Sequence, residues 1–316
     1  MNVVSESVSE QWECAAAIGT LLGTSVKMQE VMRLIERVAA TEACVLLTGE
    51  SGTGKELAAQ LIHERSARRD GPFIAFNCGA IPAALVEAEL FGCFERAAGG
   101  TLLLDEPAEL PLDMQTRLLR VLETREYYRP RALPKLPCDV RIIAATNGCP
   151  LQAVQNGQLR QDLLYRLAVF PVAMPPLRER DGDVELLAAH FLKELNARAQ
   201  TQKRLSALAR MTLKQHAWPG NVRELKNCIE RAFILGDAVL ELAPLIQDAA
   251  RDGEHAAQLN IRVGSRIHDM ERSLIEATLD YFKGNKRRAA DALGCSLKTL
   301  YNKLNGYSQS QECAHT

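Results

Sequence analysis

Residues 49–56 read GESGTGKE, three glycines followed by Lys55 and Glu56. The spacing matches G-x-x-x-x-G-K, in which a pliable backbone wraps phosphate oxygens and the lysine neutralises the outer ones. Gly49, Glu50, Ser51, Gly52, Thr53 and Gly54 form the expected cradle, and Lys55 is placed to reach the outer phosphates of ATP. Glu56 stands where the standard pattern puts a hydroxyl ligand for magnesium. Further along, TLLLDE closes an apolar run on two adjacent carboxylates, Asp105 and Glu106. A buried strand ending in Asp-Glu, downstream of a phosphate loop on the same sheet edge, suits metal-assisted hydrolysis. Asp105 would hold Mg2+ directly or through water, and Glu106 would polarise the water that attacks the γ-phosphate.

Such groups must be held by strands and helices. From Ser25, the apolar positions Met28, Val31, Met32, Ile35, Val38 and Ala39 fall at helical spacing. CVLLTG then reads as a buried strand, and a helix is predicted from about Glu56 to Arg65. PFIAF (72–76), TLLLD (101–105), DVRIIAAT (139–146) and AVFPVAM (168–174) read as further strands, with helices between them, including 113–126. Strands alternating with helices imply a mostly parallel sheet covered on both faces. After PPLRERDGD the pattern is helical only, to about Ala250. Residues 251–264 read as a linker, and the final segment as three short helices broken at Gly284-Asn285 and Gly294-Cys295-Ser296.

The 316 residues allow two or three domains, and 47% hydrophobic with 24% charged residues is ordinary for a globular protein. A net charge of −1 announces neither nucleic acid nor membrane globally, yet residues 264–307 carry eight Lys and Arg against five Asp and Glu. The nine cysteines form no C-x-x-C pair and no zinc spacing, which points to a reducing compartment. No Lys or Arg precedes Lys27, against a secretory signal, and no apolar run reaches membrane-spanning length. A cytoplasmic location without membrane contact is expected.

GESGTGKE, PFIAFNCGAIP, ELFG, GGTLLLDE, ELPLDMQTRLLRVLE, DVRIIAATN, DLLYRL, PPLRER and WPGNVREL occur in the order found in bacterial enhancer-binding proteins. Over residues 20 to about 245 the chain resembles these AAA+ ATPases, which activate sigma-54 RNA polymerase. The resemblance implies a switch asparagine at Asn77 acting through Glu106, a sensor I residue at Asn147, and arginine fingers at Arg160 and Arg166 reaching a neighbouring subunit. It also implies a sensor II arginine at Arg223. Fingers supplied in trans imply a homo-oligomer, from a dimer up to a hexameric ring.

Two stretches depart from that family. There, ELFG leads into a surface loop with the sequence GAFTGA, which contacts sigma-54. Here Gly92 is joined to Phe94-Glu95 by Cys93 alone, and GAFTGA occurs nowhere. Cys93 to Thr101 could still return to the sheet, since nine extended residues reach ~30 Å. The companion loop, RPRALPKLP at 129–137, carries three prolines that would stiffen it, and Pro107 replaces a usual aliphatic residue after Glu106. ATP binding is expected to survive these changes, and direct remodelling of sigma-54 is expected to be impaired.

KGNKRRAADALGCSLKTLYNKLNGY resembles the factor-for-inversion-stimulation type of helix-turn-helix, which implies double-stranded promoter or enhancer DNA as a partner. Asn285 and Ser296 would cap its helices and Gly294 its turn. Ala289, Ala290, Leu293, Leu297, Leu300 and Leu304 read as the internal face. Lys286, Arg287 and Arg288 are placed to grip phosphates, and Lys298, Thr299, Asn302 and Lys303 to project from the recognition helix. The preceding helix, with Met270, Leu274, Ala277, Thr278 and Tyr281, is expected to dimerise. The family's usual arginines are replaced by Leu297 and Asn302. With about five basic contacts per subunit, log affinity should fall with log salt at a slope of about −4 to −5.

The resulting expectation is an α/β AAA+ P-loop NTPase with a parallel sheet and helical lid, followed by a small all-α helix-turn-helix domain. Its divisions are a tail at 1–19, an ATPase core at 20–178, a lid at 179–250, a linker at 251–264, the DNA-binding domain at 265–307 and a tail at 308–316. No sensory domain of its own is expected. The function read is DNA-binding transcriptional regulation with ATP and Mg2+ and a possible contact with RNA polymerase holoenzyme. The alternatives are a sigma-54-independent repressor or co-regulator, a modulator assembling with a complete paralogue, and, in a different class, a general AAA+ remodelling motor.

Overall fold

A computed structural model describes residues 21–128, 135–242, 271–275, 278–279 and 286–303. The chain divides into two compact units, Met1–Ile246 and Gln247–Thr316.

The first unit is built on five parallel strands: β1 (Val45–Thr48), β2 (Phe73–Asn77), β3 (Thr101–Asp105), β6 (Arg141–Thr146) and β7 (Phe170–Ala173), in the order β2-β3-β6-β1-β7. Each predicted strand is present, trimmed by a residue or two at most ends. Alternation across the pleat sorts the side chains to two faces. Leu102 and Leu104 join one core with Ile142 and Ala144, while Leu103 joins the other with Val45, Leu47, Ile143 and Ala145.

Helices α1 (Val26–Ala39) and α2 (Lys55–Glu64) cover the second face. All six apolar positions predicted for α1 are buried, and the Ser25 hydroxyl caps it by accepting the Met28 N–H. At its other end the buried Arg141 side chain donates to the Val38 and Ala39 carbonyls at 2.7 and 3.0 Å, satisfying groups a helix end otherwise leaves bare. The first face is covered by α3 (Ala83–Arg96), α4 (Leu112–Thr124) and α6 (Gln161–Leu167), with the short α5 (Pro150–Gln155) before α6. Between α4 and β6 lies an antiparallel hairpin, β4 (Glu126–Tyr128) with β5 (Lys135–Pro137), whose tip at 129–134 falls outside the described residues.

The lid comprises α7 (Asp183–Ala199), α8 (Ala207–Gln215) and α9 (Asn221–Leu235) around Leu187, Leu192, Leu213, Trp218, Leu225 and Ile229. It is not purely helical as expected: β8 (Arg204–Leu205) pairs in parallel with β9 (Val239–Leu240). These two-residue strands are too short to show a period in sequence. Asp183, buried at the start of α7, accepts from the Thr24 and Ser25 backbone N–H groups at 2.6 and 3.0 Å and from the Ser25 hydroxyl at 2.9 Å. One carboxylate thus fastens the lid to the segment that starts α1. No helix among the described residues is long and apolar enough to cross a membrane.

Candidate nucleotide site and nucleic-acid interface

β1 lies between β6 and β7, where chain order in the sheet reverses, and GESGTGKE is the turn from its carboxyl end into α2. In open α/β sheets that crevice is where ligands bind. Gly52 has φ +78°, and a Cβ there would lie 2.3 Å from the Gly220 carbonyl oxygen, so no larger residue fits. The Lys55 ammonium donates to the Gly49 and Glu50 carbonyls at 2.6 and 3.1 Å. Burial lowers its pKa, while the Glu106 and Asp105 carboxylates oppose that shift. Glu56 lies exposed in the first turn of α2.

Strand register brings the other candidates level with the loop. Thr48 is opposite Thr146, Asp105 opposite Ala145, and Asn77 opposite Asp105. Glu106 has φ +55° and ψ +60°, a left-handed conformation costly for a side chain with a Cβ. Its carboxylate accepts from the Thr146 hydroxyl at 2.9 Å and the Asn147 backbone N–H at 2.7 Å. Asn147 therefore meets Glu106 through its main chain. The Asn77 side chain accepts the Gly79 N–H at 3.0 Å.

The lid closes on the loop through residues the sequence reading largely passed over. The Arg223 guanidinium donates to the Ser51 hydroxyl at 2.9 Å. Beside it, Val222 N–H donates to the Gly52 carbonyl at 3.0 Å. The fully buried Asn221 accepts the Leu177 N–H at 2.7 Å and donates to the Ser51 carbonyl at 3.0 Å and the Glu50 carboxylate at 3.1 Å. Arg178 makes a two-pronged bond to Glu50 at 2.8 and 2.6 Å. With Asn221 it holds the Glu50 carboxyl down at about 2. Arg180, buried and with its pKa pushed down by that burial to about 10, donates to the Thr53 carbonyl at 2.7 Å. Arg178, Arg180 and Asn221 all lie within PPLRER and WPGNVREL, so the signal was present in motifs already singled out.

The two finger candidates lie at the two ends of α6 and not at the loop, Arg160 as its N-cap and Arg166 in its last turn. Arg160 pairs with Asp162 at 2.7 Å, and Arg166 donates to the Leu122 carbonyl at 2.7 Å near the end of α4. Residues 93–101, expected to be long enough to return to the sheet, do so mostly as helix and turn. α3 runs unbroken through Gly92, Cys93 and Phe94 to Arg96, and Gly99 and Gly100 complete the turn into β3. Val86, Leu90, Phe91, Phe94 and Ala97 keep helical spacing across the junction and bury in one core. The Phe91 and Phe94 rings lie 6.0 and 6.1 Å from Tyr127 on β4, tying α3 to the proline-bearing hairpin.

In the second unit, residues 271–275 and 278–279 are helical, followed by α10 (Lys286–Ala292) and a helix at 297–303. Ile275, Ala289, Ala290 and Leu300 form the core with Leu279, Leu293 and Cys295. Gly294 has φ +64°, as the expected tight turn requires. The Ser296 hydroxyl accepts the Thr299 N–H at 3.1 Å, an N-cap. Lys286, Arg287, Arg288, Lys298, Thr299 and Asn302 are exposed. The Lys286 ammonium sits 4.6 Å from the Tyr301 ring centre, and Lys303 is ion-paired with Glu271. The expected internal face needs one correction: Leu297 is exposed, because Leu300 and not Leu297 turns toward the core. Leu274 is also exposed, while Met270, Ala277, Tyr281, Asn285 and Leu304 lie outside the described residues.

A phosphate loop at the switch point of a parallel sheet, an Asp-Glu strand end beside it and a helical lid bonded to it define a P-loop ATPase domain of the AAA+ class. Family models match the sigma-54 interaction domain over residues 21–173, the AAA+ ATPase lid domain over 178–261 and the bacterial regulatory proteins of the Fis family over 266–307. The transcriptional regulatory protein FlbD of Caulobacter vibrioides is 41% identical, the match covering 90% of this chain and 69% of FlbD. The DNA-binding transcriptional regulator NtrC of Azospirillum brasilense is 39% identical, over 90% of this chain and 68% of NtrC. The chain belongs to the sigma-54-dependent transcriptional regulators, DNA-binding proteins built on an AAA+ domain. Among solved structures, NtrX of Brucella abortus in complex with ATP is 32% identical with a TM-score of 0.68, covering 95% of this chain and 72% of that one. NtrX in complex with ADP gives a TM-score of 0.70.

Proposed function

We propose that this chain is an ATP-hydrolysing, DNA-binding regulator whose direct remodelling of sigma-54 holoenzyme is impaired. The observation that carries the reading is the unbroken α3, in which Phe91 and Phe94 lock onto Tyr127 where the family's contact loop would leave the surface. Regulation independent of sigma-54, as a repressor or with the housekeeping polymerase, is the favoured outcome.

The residues present suit a nucleoside triphosphate. Backbone N–H groups of residues 49–56 and the start of α2 face an anion site, and Lys55 is already desolvated there. On binding, its ammonium exchanges the Gly49 and Glu50 carbonyls for phosphate oxygens. Magnesium is commonly held by one or two carboxylates plus substrate phosphates, which Asp105 and Glu106 can satisfy without the hydroxyl that Glu56 replaces. Bound there, it would neutralise charge on the outer phosphates. Glu106 orients the attacking water, and Asn77 and Asn147 adjust its carboxylate. Arg223 reports lid position through Ser51. Arg160 and Arg166 act on a neighbouring subunit's site in a homo-oligomer, where a finger contributes about 10³–10⁵ in rate. Lys286, Arg287, Arg288, Ser296, Lys298, Thr299, Asn302 and Lys303 form the DNA-binding set, with Lys303 first released from Glu271.

The test is transcription in vitro with sigma-54 and housekeeping holoenzymes side by side, with and without ATP, on templates carrying the protein's own sites. The expected result is ATP turnover without open-complex formation by sigma-54 holoenzyme. Vigorous ATP-dependent promoter opening with sigma-54 refutes the reading.

A further inference from the structure

We propose that Leu297 is a specificity-determining residue that reads the C5 methyl group of a thymine in the major groove, making an A·T pair part of each half-site. The inference rests on the second unit binding duplex DNA as a helix-turn-helix.

In such motifs the N-terminal residues of the second helix meet the base edges. The Ser296 cap fixes the start of that helix, so Leu297 is its first residue. Its side chain is 41% exposed, whereas Leu300, one turn on, is fully buried. The fold therefore gains little from a leucine at this position. Tyr301, 44% exposed, follows at i+4 and so shares a helix face with Leu297. Lys286 covers part of its ring, which ties the apolar strip to the first residue of α10. Lys298, Thr299 and Asn302 stand beside the strip as exposed polar groups.

An apolar side chain among base-reading groups finds its largest apolar partner on the major-groove edge in the thymine methyl, where cytosine offers only a C5–H and the remaining features are hydrogen-bond donors or acceptors. Leu297 can bond to none of them. Set against guanine it would leave O6 and N7 without the donors an arginine supplies. The chain therefore trades G·C readout for A·T readout at this position.

The experiment selects sites for the full-length protein from a random duplex pool, then replaces thymine by deoxyuracil, which removes only the methyl, at each enriched A·T position. Loss of one buried methyl-sized contact, worth about 0.8 kcal/mol, corresponds to about a fourfold loss of affinity per half-site at one position. Leu297→Ala should abolish that sensitivity, and Leu297→Arg should exchange the selected A·T pair for G·C. Equal binding of thymine and deoxyuracil sites by the wild type, or an undiminished uracil penalty in Leu297→Ala, overturns the proposal while leaving DNA binding intact. So does a change in oligomeric state in Leu297→Ala, which would place the leucine at a subunit contact. Failure to enrich any sequence removes the DNA-binding reading itself, and this inference with it.

Discussion

Gly92 lies inside α3 just after ELFG, and Gly92→Ala tests whether that junction is truly helical. A glycine inside a helix is less favourable than alanine by about 0.8–1.0 kcal/mol, because the unfolded chain has more freedom to lose. The gain from alanine is realised only if the new methyl fits. A Cβ at Gly92 would meet no heavy atom beyond the helix's own backbone and chain neighbours within 4 Å, and its φ is not in the left-handed range. Gly92→Ala should therefore stabilise the ATPase unit by about 0.5–1 kcal/mol, raising Tm by roughly 1–4 °C for a unit of this size. Gly52→Ala supplies the opposite sign in the same protein, since its φ is +78° and its Cβ would collide with the Gly220 carbonyl. Urea titration followed by far-ultraviolet circular dichroism, with a thermal scan as second probe, measures both. A neutral or destabilising Gly92→Ala refutes a continuous α3, because a turn at Gly92 would penalise alanine.

Asn221→Ala should cost about 2–4 kcal/mol, combining a buried Leu177 N–H left without acceptor with an alanine at φ +54°; emission of the buried Trp218 in a Trp12→Phe background reports it during urea unfolding. Lys55→Ala should abolish measurable binding of a fluorescent ATP analogue while leaving the thermal midpoint nearly unchanged. Glu50 has a depressed folded-state pKa of about 2, so its pairing with Arg178 stabilises above the unfolded carboxyl pKa and is lost as pH falls toward 2. Because the pair is solvent-exposed, the effect is small, and Glu50→Gln should flatten stability between pH 4.5 and 2.

The sheet was legible because its strands are short apolar runs between glycine-rich turns, and strand ends carrying Asn77, Asp105, Glu106 and Asn147 follow once those runs are parallel. The lid's grip on the loop was less legible. Val222 meets Gly52 through main-chain atoms, which leave no residue-type signature, and Asn221 matters through a buried left-handed position that no period announces. The path after Gly92 is legible in the sequence: Val86, Leu90, Phe91, Phe94 and Ala97 form one helical stripe across the junction. Leu297 departs from the expected internal face because residue type alone does not place a leucine inside. At the first turn of a capped helix, only Leu300 has the angular position to reach Ala289 and Ala290.

α3 is continuous through Gly92, and its buried stripe of Val86, Leu90, Phe91, Phe94 and Ala97 completes the first-face core. The residues proposed for hydrolysis sit elsewhere, at the carboxyl edge of β2, β3 and β6 and in the loop gripped by the lid. On the proposed function, turnover and transmission to polymerase would depend on different parts of the fold and should separate on perturbation. Phe94→Ala, which removes a ring packed on Phe91 and Tyr127, should destabilise the core by about 3–5 kcal/mol and loosen the hairpin, yet leave ATP affinity of the folded fraction unchanged within about twofold. Isothermal titration at a temperature where the variant remains folded measures that affinity. A drop of tenfold or more would mean that α3 and the phosphate loop act as one element, and losing the contact loop could then not be assumed to spare hydrolysis.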